Sequence, residues 1–445
     1  MLILKIAFRN IFRQRRRSIL TALTMIGGYV LLSMALSISE GTYGTVIENF
    51  SKSYTGHVQL HKKGYLNKPS LYRTLNDYKS VDKILKTVEG VKSWTPRIFS
   101  TALVSKGKKT AIARIVGIDP EQEAKTTSIS DKIREGKFID SDLDTTKDTI
   151  KNTVKNEVMV GAGLAEILNL KLGEEIVLVS QGADGSISND IFKVVAILKG
   201  DIFSVNRNYC YMNIKVAQSF LSLENRFHEI TIALDHYKYA QQKANILDKT
   251  FKDMNNNNVG NKDNNGNNGN NGNNGNNGNN GNNEIEVLPW PVIEKQFYDT
   301  MTFEKRGMRI CLFIIVIIVA IGVLNTVLMT ILERTIEYGI LRALGTRPFM
   351  LFRMIILESG FLALISIVIG FILSFIINYL VSIYGIDYPA PMDIGGFSIT
   401  TMYGLIYPGA FSTPAIVTFF TALVVSIFPA IRAMKIIPVE AMRMN

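Results

Sequence analysis

Four apolar runs decide what this chain can fold into. Residues 18–39, 311–332, 355–383 and 413–431 carry a single charge between them, Glu358. At about 1.5 Å rise per residue, roughly 20 residues cross a hydrocarbon core of about 30 Å, so each run is long enough to span a membrane as a helix. Apolar residues make up 47% of the whole chain, an ordinary value for a soluble protein, because a long aqueous segment between the first two runs dilutes them.

Charge placement orients the spans. The formal net charge of +11 could serve a nucleic-acid binder, but the basic groups cluster at the ends of the apolar runs. Lys5, Arg9, Arg13, Arg15, Arg16 and Arg17 precede the first run with no acid among residues 1–39; Arg334, Arg342, Arg347 and Arg353 lie between the second and third; Arg432, Lys435 and Arg443 follow the fourth. Residues 381–411 hold Asp387 and Asp393 and no base. Under the positive-inside rule both termini and the loop after the second span are cytoplasmic, and the long segment is outside. A cleaved signal peptide is the rival for the N-terminus, with Ala35-Leu36-Ser37 as a cleavage site, but the run is longer than the 7–15 residues of such a segment.

The resulting expectation is a membrane protein of four transmembrane helices with a large α+β extracytoplasmic domain between helices one and two. Residues 1–17 form an amphipathic cytoplasmic helix, 18–40 the first span, 41–308 the outer domain, 310–332 the second span, 333–349 a cytoplasmic loop, 350–382 the third span, 383–411 an outer loop broken by Pro389, Pro391 and Pro408, 412–432 the fourth span ending at Pro429-Ala430, and 433–445 a tail. Within the outer domain, alternating strands and short helices suggest two lobes; residues 112–118 read as a strand running through Asp119-Pro120 into a turn, and 180–190 as a short hairpin tip of Gly and Ser. An Asn-Asn-Gly repeat at 254–283 has Gly every third residue but no proline, and is expected to be a disordered insertion. Residues 294–309 read as a stalk helix continuous with the second span.

Chemistry-bearing groups are sparse. No Gly-x4-Gly-Lys-Ser/Thr loop occurs, no Ser/His/Asp or Cys/His set stands in a recognisable context, and Cys210 and Cys311 fall in different regions. His57 and His61 share a strand face but, with no partner nearby in sequence, make a weak metal site. What remains is the loop after span two, where Ile336, Ile340, Leu341 and Leu344 fall on one helical face beside Glu337 and Arg342. A short amphipathic helix tied to two spans is a lever.

The run Glu337-Tyr338-Gly339-Ile340-Leu341-Arg342-Ala343-Leu344-Gly345, flanked by Asn325 and Glu358, resembles the coupling loop of FtsX-like ABC permeases. Ala7-Phe8-Arg9-Asn10, the Gly56-His57-Val58-Gln59-Leu60-His61 string, Val158-Met159-Val160-Gly161 and Pro438-Val439-Glu440-Ala441-Met442-Arg443 extend the likeness to MacB-type and lipoprotein-releasing permeases. The resemblance implies a MacB-like permease fold and a non-catalytic subunit, with Glu337, Gly339, Ile340, Leu341, Arg342, Leu344 and Gly345 docking on a separate ABC ATPase dimer that holds the ATP and Mg. It further implies a bacterial inner-membrane location, a second permease subunit that is a paralogue or a second copy, a lipid-modified protein substrate, and a periplasmic lipoprotein carrier. A cavity between two permeases would be lined by Thr24, Gly28, Ser33, Ile314 and Ile318 and open to membrane lipids. The rival readings are a MacB-like exporter of peptides or amphiphiles and an FtsX-like signalling subunit that controls a cell-wall hydrolase.

Overall fold

The computed structural model describes residues 9, 13, 15–140, 156–198, 208–260, 285–394 and 397–438. The N-terminal amphipathic segment, the Asn-Gly repeat beyond Gly260 and the tail motif after Pro438 lie outside those residues. The chain divides into a membrane unit (1–45, 301–392, 399–445) and an α+β unit (46–300, 393–398).

In the membrane unit, four helices are long and apolar enough to cross a bilayer. They are α1 (Arg15–Phe50), α8 (Lys295–Glu333), α10 (Pro348–Tyr384) and α11 (Pro408–Met434). Helix α1 continues past the end of its apolar run, and α8 includes the stretch read as a stalk. Helix α11 runs through Pro429 and ends at Met434. Proline is tolerated inside a membrane helix because neighbouring helices can take up the freed backbone group.

Small residues set the helix spacing. Along α11, Ala410, Pro414, Thr418, Ala422, Ser426 and Ala430 recur every four residues and are all buried; on α10, Ser359, Ala363, Ser366, Gly370, Ser374 and Asn378 recur every three or four and are buried too. Small residues let backbones approach closely where lipid offers no hydrophobic drive for association. A Cβ at Gly370 would meet the Tyr29 ring at 2.9 Å, and one at Gly28 would collide with Val319. Two polar groups in this layer bond across helices: Asn378 Nδ2 donates to Ser33 Oγ at 2.9 Å and Tyr29 Oη to the Phe411 carbonyl at 3.0 Å. Between α10 and α11 the chain forms a two-stranded ribbon, β11 (Ile386–Ile394) and β12 (Phe397–Met402), where a loop broken by prolines was expected. Pro389 and Pro391 sit in a strand with an unpaired edge, the place in a sheet where a missing N–H is harmless.

In the α+β unit the first lobe is a split βαββαβ arrangement. It comprises β1 (Val58–Lys62), α2 (Tyr78–Leu85), the start of β2 (Val91–Lys106), β9 (Glu229–Leu234), α6 (Ala240–Gly260) and β10 (Ile285–Pro289), in sheet order β10-β1-β9-β2, antiparallel throughout. Helix α6 reaches into the stretch read as disordered from residue 254. The second lobe is inserted between β2 and β9. Strand β2 pairs with β3 (Lys109–Ile118), then β8 (Tyr209–Asn213), β5 (Glu157–Gly161), β7 (Ile187–Leu198) and β6 (Glu175–Gln181), and β6 pairs back to β2, closing a ring of six strands. β4 (Ile133–Gly136) extends it along β7. Asp119-Pro120 does not make a plain turn: Asp119 accepts from the Glu121 and Gln122 amides at 3.1 Å, and Pro120 opens helix α3 (Pro120–Thr126). The 180–190 tip is a tight hairpin between β6 and β7.

Strand β2 changes partners at Arg97, which is paired with Glu229 on one side and Ile118 on the other. There the side chain is buried and gathers Glu123 at 2.5 Å, Glu229 at 3.3 Å and the Tyr54 carbonyl at 2.5 Å. Glu229 also accepts from Thr231 at 2.7 Å and lies 3.2 Å from His61. Burial works against ionising Glu229, yet the His61 and Thr231 hydrogen bonds and the Arg97 charge outweigh it and hold its carboxyl at about 2.

A carboxyl held below its ordinary value of about 4.5 stabilises the fold fully above that value, and the contribution is lost as pH falls toward 2. At about 1.4 kcal/mol per tenfold in proton affinity, the loss is on the order of 3 kcal/mol. Trp94 and Trp290, the chain's two tryptophans, both lie in this unit, so their fluorescence should report acid unfolding between pH 4.5 and 2. Arg97→Met, which leaves two carboxylates buried without a counter-charge, should destabilise the unit by about 3–5 kcal/mol at pH 7 in the same assay.

Candidate functional site

Helix α8 ends at Glu333, and after the Arg334 turn the chain forms helix α9 (Thr335–Ala343). The far end closes on backbone bonds alone: the Gly345 N–H donates to the Arg342 carbonyl and the Thr346 N–H to the Leu341 carbonyl, both at 3.1 Å. Gly345 sits at φ +93, the left-handed position that this helix stop requires.

The two sides of α9 differ sharply. Tyr338 is 1% exposed and packs with Ile331, Leu351, Met354, Ile355, Ala430 and Ala433, with Leu341 against the same cluster. Ile336, Ile340 and Leu344 face away, Leu344 with 79% of its surface free, and Phe349 and Met350 continue the exposed patch.

Charges frame the helix. Arg334, with 5% of its side chain exposed, places Nε 3.0 Å from Glu337 and Nη1 3.6 Å from Glu358 on α10, with its guanidinium 5.5 Å from the Tyr338 ring. Glu337 is also 3.6 Å from Arg13, and Arg17 pairs with Glu333, joining α1 to the end of α8. Burial works against the Arg334 charge, but Tyr338, Glu358 and Glu337 more than compensate and its pKa is raised. Burial likewise pushes the Tyr338 hydroxyl up. Both stay in one protonation state across the physiological range. The result is a short, charge-framed helix with an apolar row on its exposed side.

Residues 18–247 match the MacB-like periplasmic core domain and residues 309–438 the FtsX-like permease C-terminal domain. The chain belongs to the FtsX-like, MacB-type permeases of ABC transporters. It is 20% identical to the lipoprotein-releasing system transmembrane protein LolC of Neisseria meningitidis over 98% of both chains. It is also 20% identical to LolE of Haemophilus influenzae, over 71% of this chain and 68% of that one. The macrolide export ATP-binding/permease protein MacB of Campylobacter jejuni is 29% identical over 33% of this chain and 21% of its own.

In this permease the sequence-derived residues do not all converge. Ile340 and Leu344 share an exposed face with Ile336, but Leu341 belongs to the core side; at 100° per residue, neighbours such as 340 and 341 can straddle the boundary of a narrow apolar stripe. Glu337 is part of the ion-pair frame, Gly339 is buried beside Tyr338, and Arg342 is half-buried with Nη1 3.5 Å from the Thr346 carbonyl. Within this chain the five residues read as cavity lining are placed differently. Gly28 and Ser33 are consumed by packing against Val319 and Asn378, and Thr24 by contact with Gly322, whereas Ile314 and Ile318 face outward from α8. Small and hydroxylic side chains that seemed suited to a cavity are what close helix contacts need. His57 and His61 are buried and each faces a carboxylate, Glu48 at 3.6 Å and Glu229 at 3.2 Å, and no group of three metal-ligating side chains forms among the described residues.

Arg334 and Tyr338 were not singled out from the sequence, although an arginine three residues before a glutamate at a helix start is a readable signal. The C-terminal stop gives a direct test. Gly345→Ala forces a Cβ into the left-handed region at a cost of about 1 kcal/mol, so hydrogen exchange at the Gly345 and Thr346 amides should quicken roughly fivefold with the spans unchanged.

Proposed function

We propose that this permease docks a separate ABC ATPase dimer through Ile336, Ile340 and Leu344 and uses the ATP hydrolysed there, with Mg, to lift lipid-modified proteins out of the membrane. The observation that carries the docking assignment is the exposed apolar row on a helix whose other face is buried in the span packing. The charge pattern supports cytoplasmic termini and a cytoplasmic α9, with the α+β unit outside the inner membrane. Lipoprotein release as the task is supported by the near full-length likeness to LolC and by LolE. Extraction costs about 0.8 kcal/mol per CH₂ removed from the bilayer, which makes coupling to ATP physically necessary. A second permease subunit completes the transporter, and Ile314 and Ile318, exposed on α8, are the outward surface offered to lipid chains or to that subunit. A periplasmic carrier would receive the released protein. The tight 180–190 hairpin offers little surface for capturing it.

A MacB-like exporter of peptides or amphiphiles would use the same docking helix, so cargo separates the two readings. Photo-crosslinkers at positions 314 and 318 should capture lipid-modified protein, while capture of small amphiphiles alone would favour export. For docking, Leu344→Asp sets a carboxylate where an apolar groove should receive leucine and should weaken co-purification of the ATPase at least tenfold. Arg342→Ala should change it less than twofold, since a charge at a rim contributes little. Leu341→Asp would instead disrupt the permease's own core and is not a clean test. Undiminished ATPase retention by Leu344→Asp would remove the docking assignment.

A further inference from the structure

We propose that Arg334 is a positioning residue that locks α9 to α10 through Glu358, so that the docking helix and the third span move as one body. This rests on the reading of α9 as the ATPase-docking element.

Nine residues make a helix too short to hold its own orientation, because isolated helices below about 12–15 residues are marginal in water. Tertiary contacts must therefore aim it. The apolar contacts of Tyr338 and Leu341 fix how deeply α9 sits but leave it able to rock about its own axis, since apolar packing is non-directional. At its C-terminal end the restraints are local, backbone bonds and the Arg342 side chain on the Thr346 carbonyl, and none of these bonds reaches α10.

Arg334 supplies the direction. Its guanidinium is nearly enclosed, and its fork faces two carboxylates on different helices: Glu337 one turn along α9 and Glu358 inside α10. Nη1 has no hydrogen-bond partner and only Glu358 facing it at 3.6 Å, so losing Glu358 would leave that buried end of the guanidinium with no carboxylate, while Nε keeps Glu337. A planar five-donor group is suited to bridging in this way, whereas a lysine would satisfy one side at a time. The other charges nearby are placed differently. Arg13 reaches Glu337 from the exposed side, Arg17 holds Glu333 at the end of α8, and Arg342 turns toward its own helix end. The Arg334–Glu358 pair ties the N-cap of α9 to α10.

The test uses the assembled permease–ATPase complex, with three readouts: ATPase retained on purification, hydrogen exchange at the Tyr338–Leu341 amides, and ATP hydrolysis relative to the ATPase alone. Glu358→Gln should retain the ATPase within twofold, quicken exchange in α9 at least tenfold, and reduce the stimulation of hydrolysis at least fivefold. Arg334→Lys, which keeps the charge but loses the fork, should fall between this variant and wild type. The double variant Arg334→Gln with Glu358→Gln removes both charges and leaves none stranded. If the pair only avoids a buried orphan charge, that variant regains wild-type exchange and hydrolysis, and the proposal is overturned; persistent loss of coupling in a folded double variant supports the lock. Wild-type behaviour of Glu358→Gln also overturns it. Retention of ATPase by Leu344→Asp, or none by the wild type, would overturn the docking assignment instead.

Discussion

The hydrocarbon layer excludes water, and most of what is distinctive in this chain follows from that. Each span must satisfy its own backbone, and each polar side chain inside must find a protein partner. Asn378 meets Ser33 and the Tyr29 hydroxyl meets a carbonyl of the neighbouring helix. With no apolar drive to bring helices together, contact comes from shape, and the repeat of small side chains every three or four residues on α11 and α10 is how α10 and α11 pack.

The same exclusion sweeps charge to the helix ends, and there it becomes organising. Arg13, Glu337, Arg334 and Glu358 form one chain of ion pairs around the start of α9, and Arg17 with Glu333 forms a second pair at the end of α8. A loop tethered at both ends by spans could take many conformations. Here the ion pairs and the buried Tyr338 select one in which Ile336, Ile340 and Leu344 stay exposed among the described residues.

The spans, the size of the aqueous insertion and the lever-like loop were all legible because they rest on hydrophobic run length and charge sign, which are properties of single segments. The orientation of α9 was not. Its amphipathic stripe is a few residues wide, and whether Leu341 or Ile336 faces the core depends on where α10 and α11 pass, which no local pattern encodes. The closure of the six-stranded ring was hidden for a related reason: β2 must pair with β3 and β6 over different stretches, and β9 arrives after more than a hundred intervening residues. The partners of buried residues were not legible in either unit. Ser33 and Gly28 resembled cavity lining because small residues serve cavities and close packing alike, and His61 looked partnerless because Glu229 is distant in sequence.

Two buried arginines show how setting changes the meaning of one arrangement. Arg97 and Arg334 each face two carboxylates, and buried ion pairs are weak contributors to net stability because desolvation offsets attraction. Around Arg97 every partner is enclosed, the shortest contact is 2.5 Å, and the site sits where β2 passes from one lobe to the other. That geometry fixes a permanent crossing. Around Arg334 the distances are 3.0 and 3.6 Å and Glu337 keeps 41% of its side chain in water. A partner that reached Glu337 would compete for it with Arg334, leaving more of the guanidinium to Glu358. One ion-pair motif thus fixes a strand crossing in the α+β unit and, at the start of α9, holds a short helix against α10.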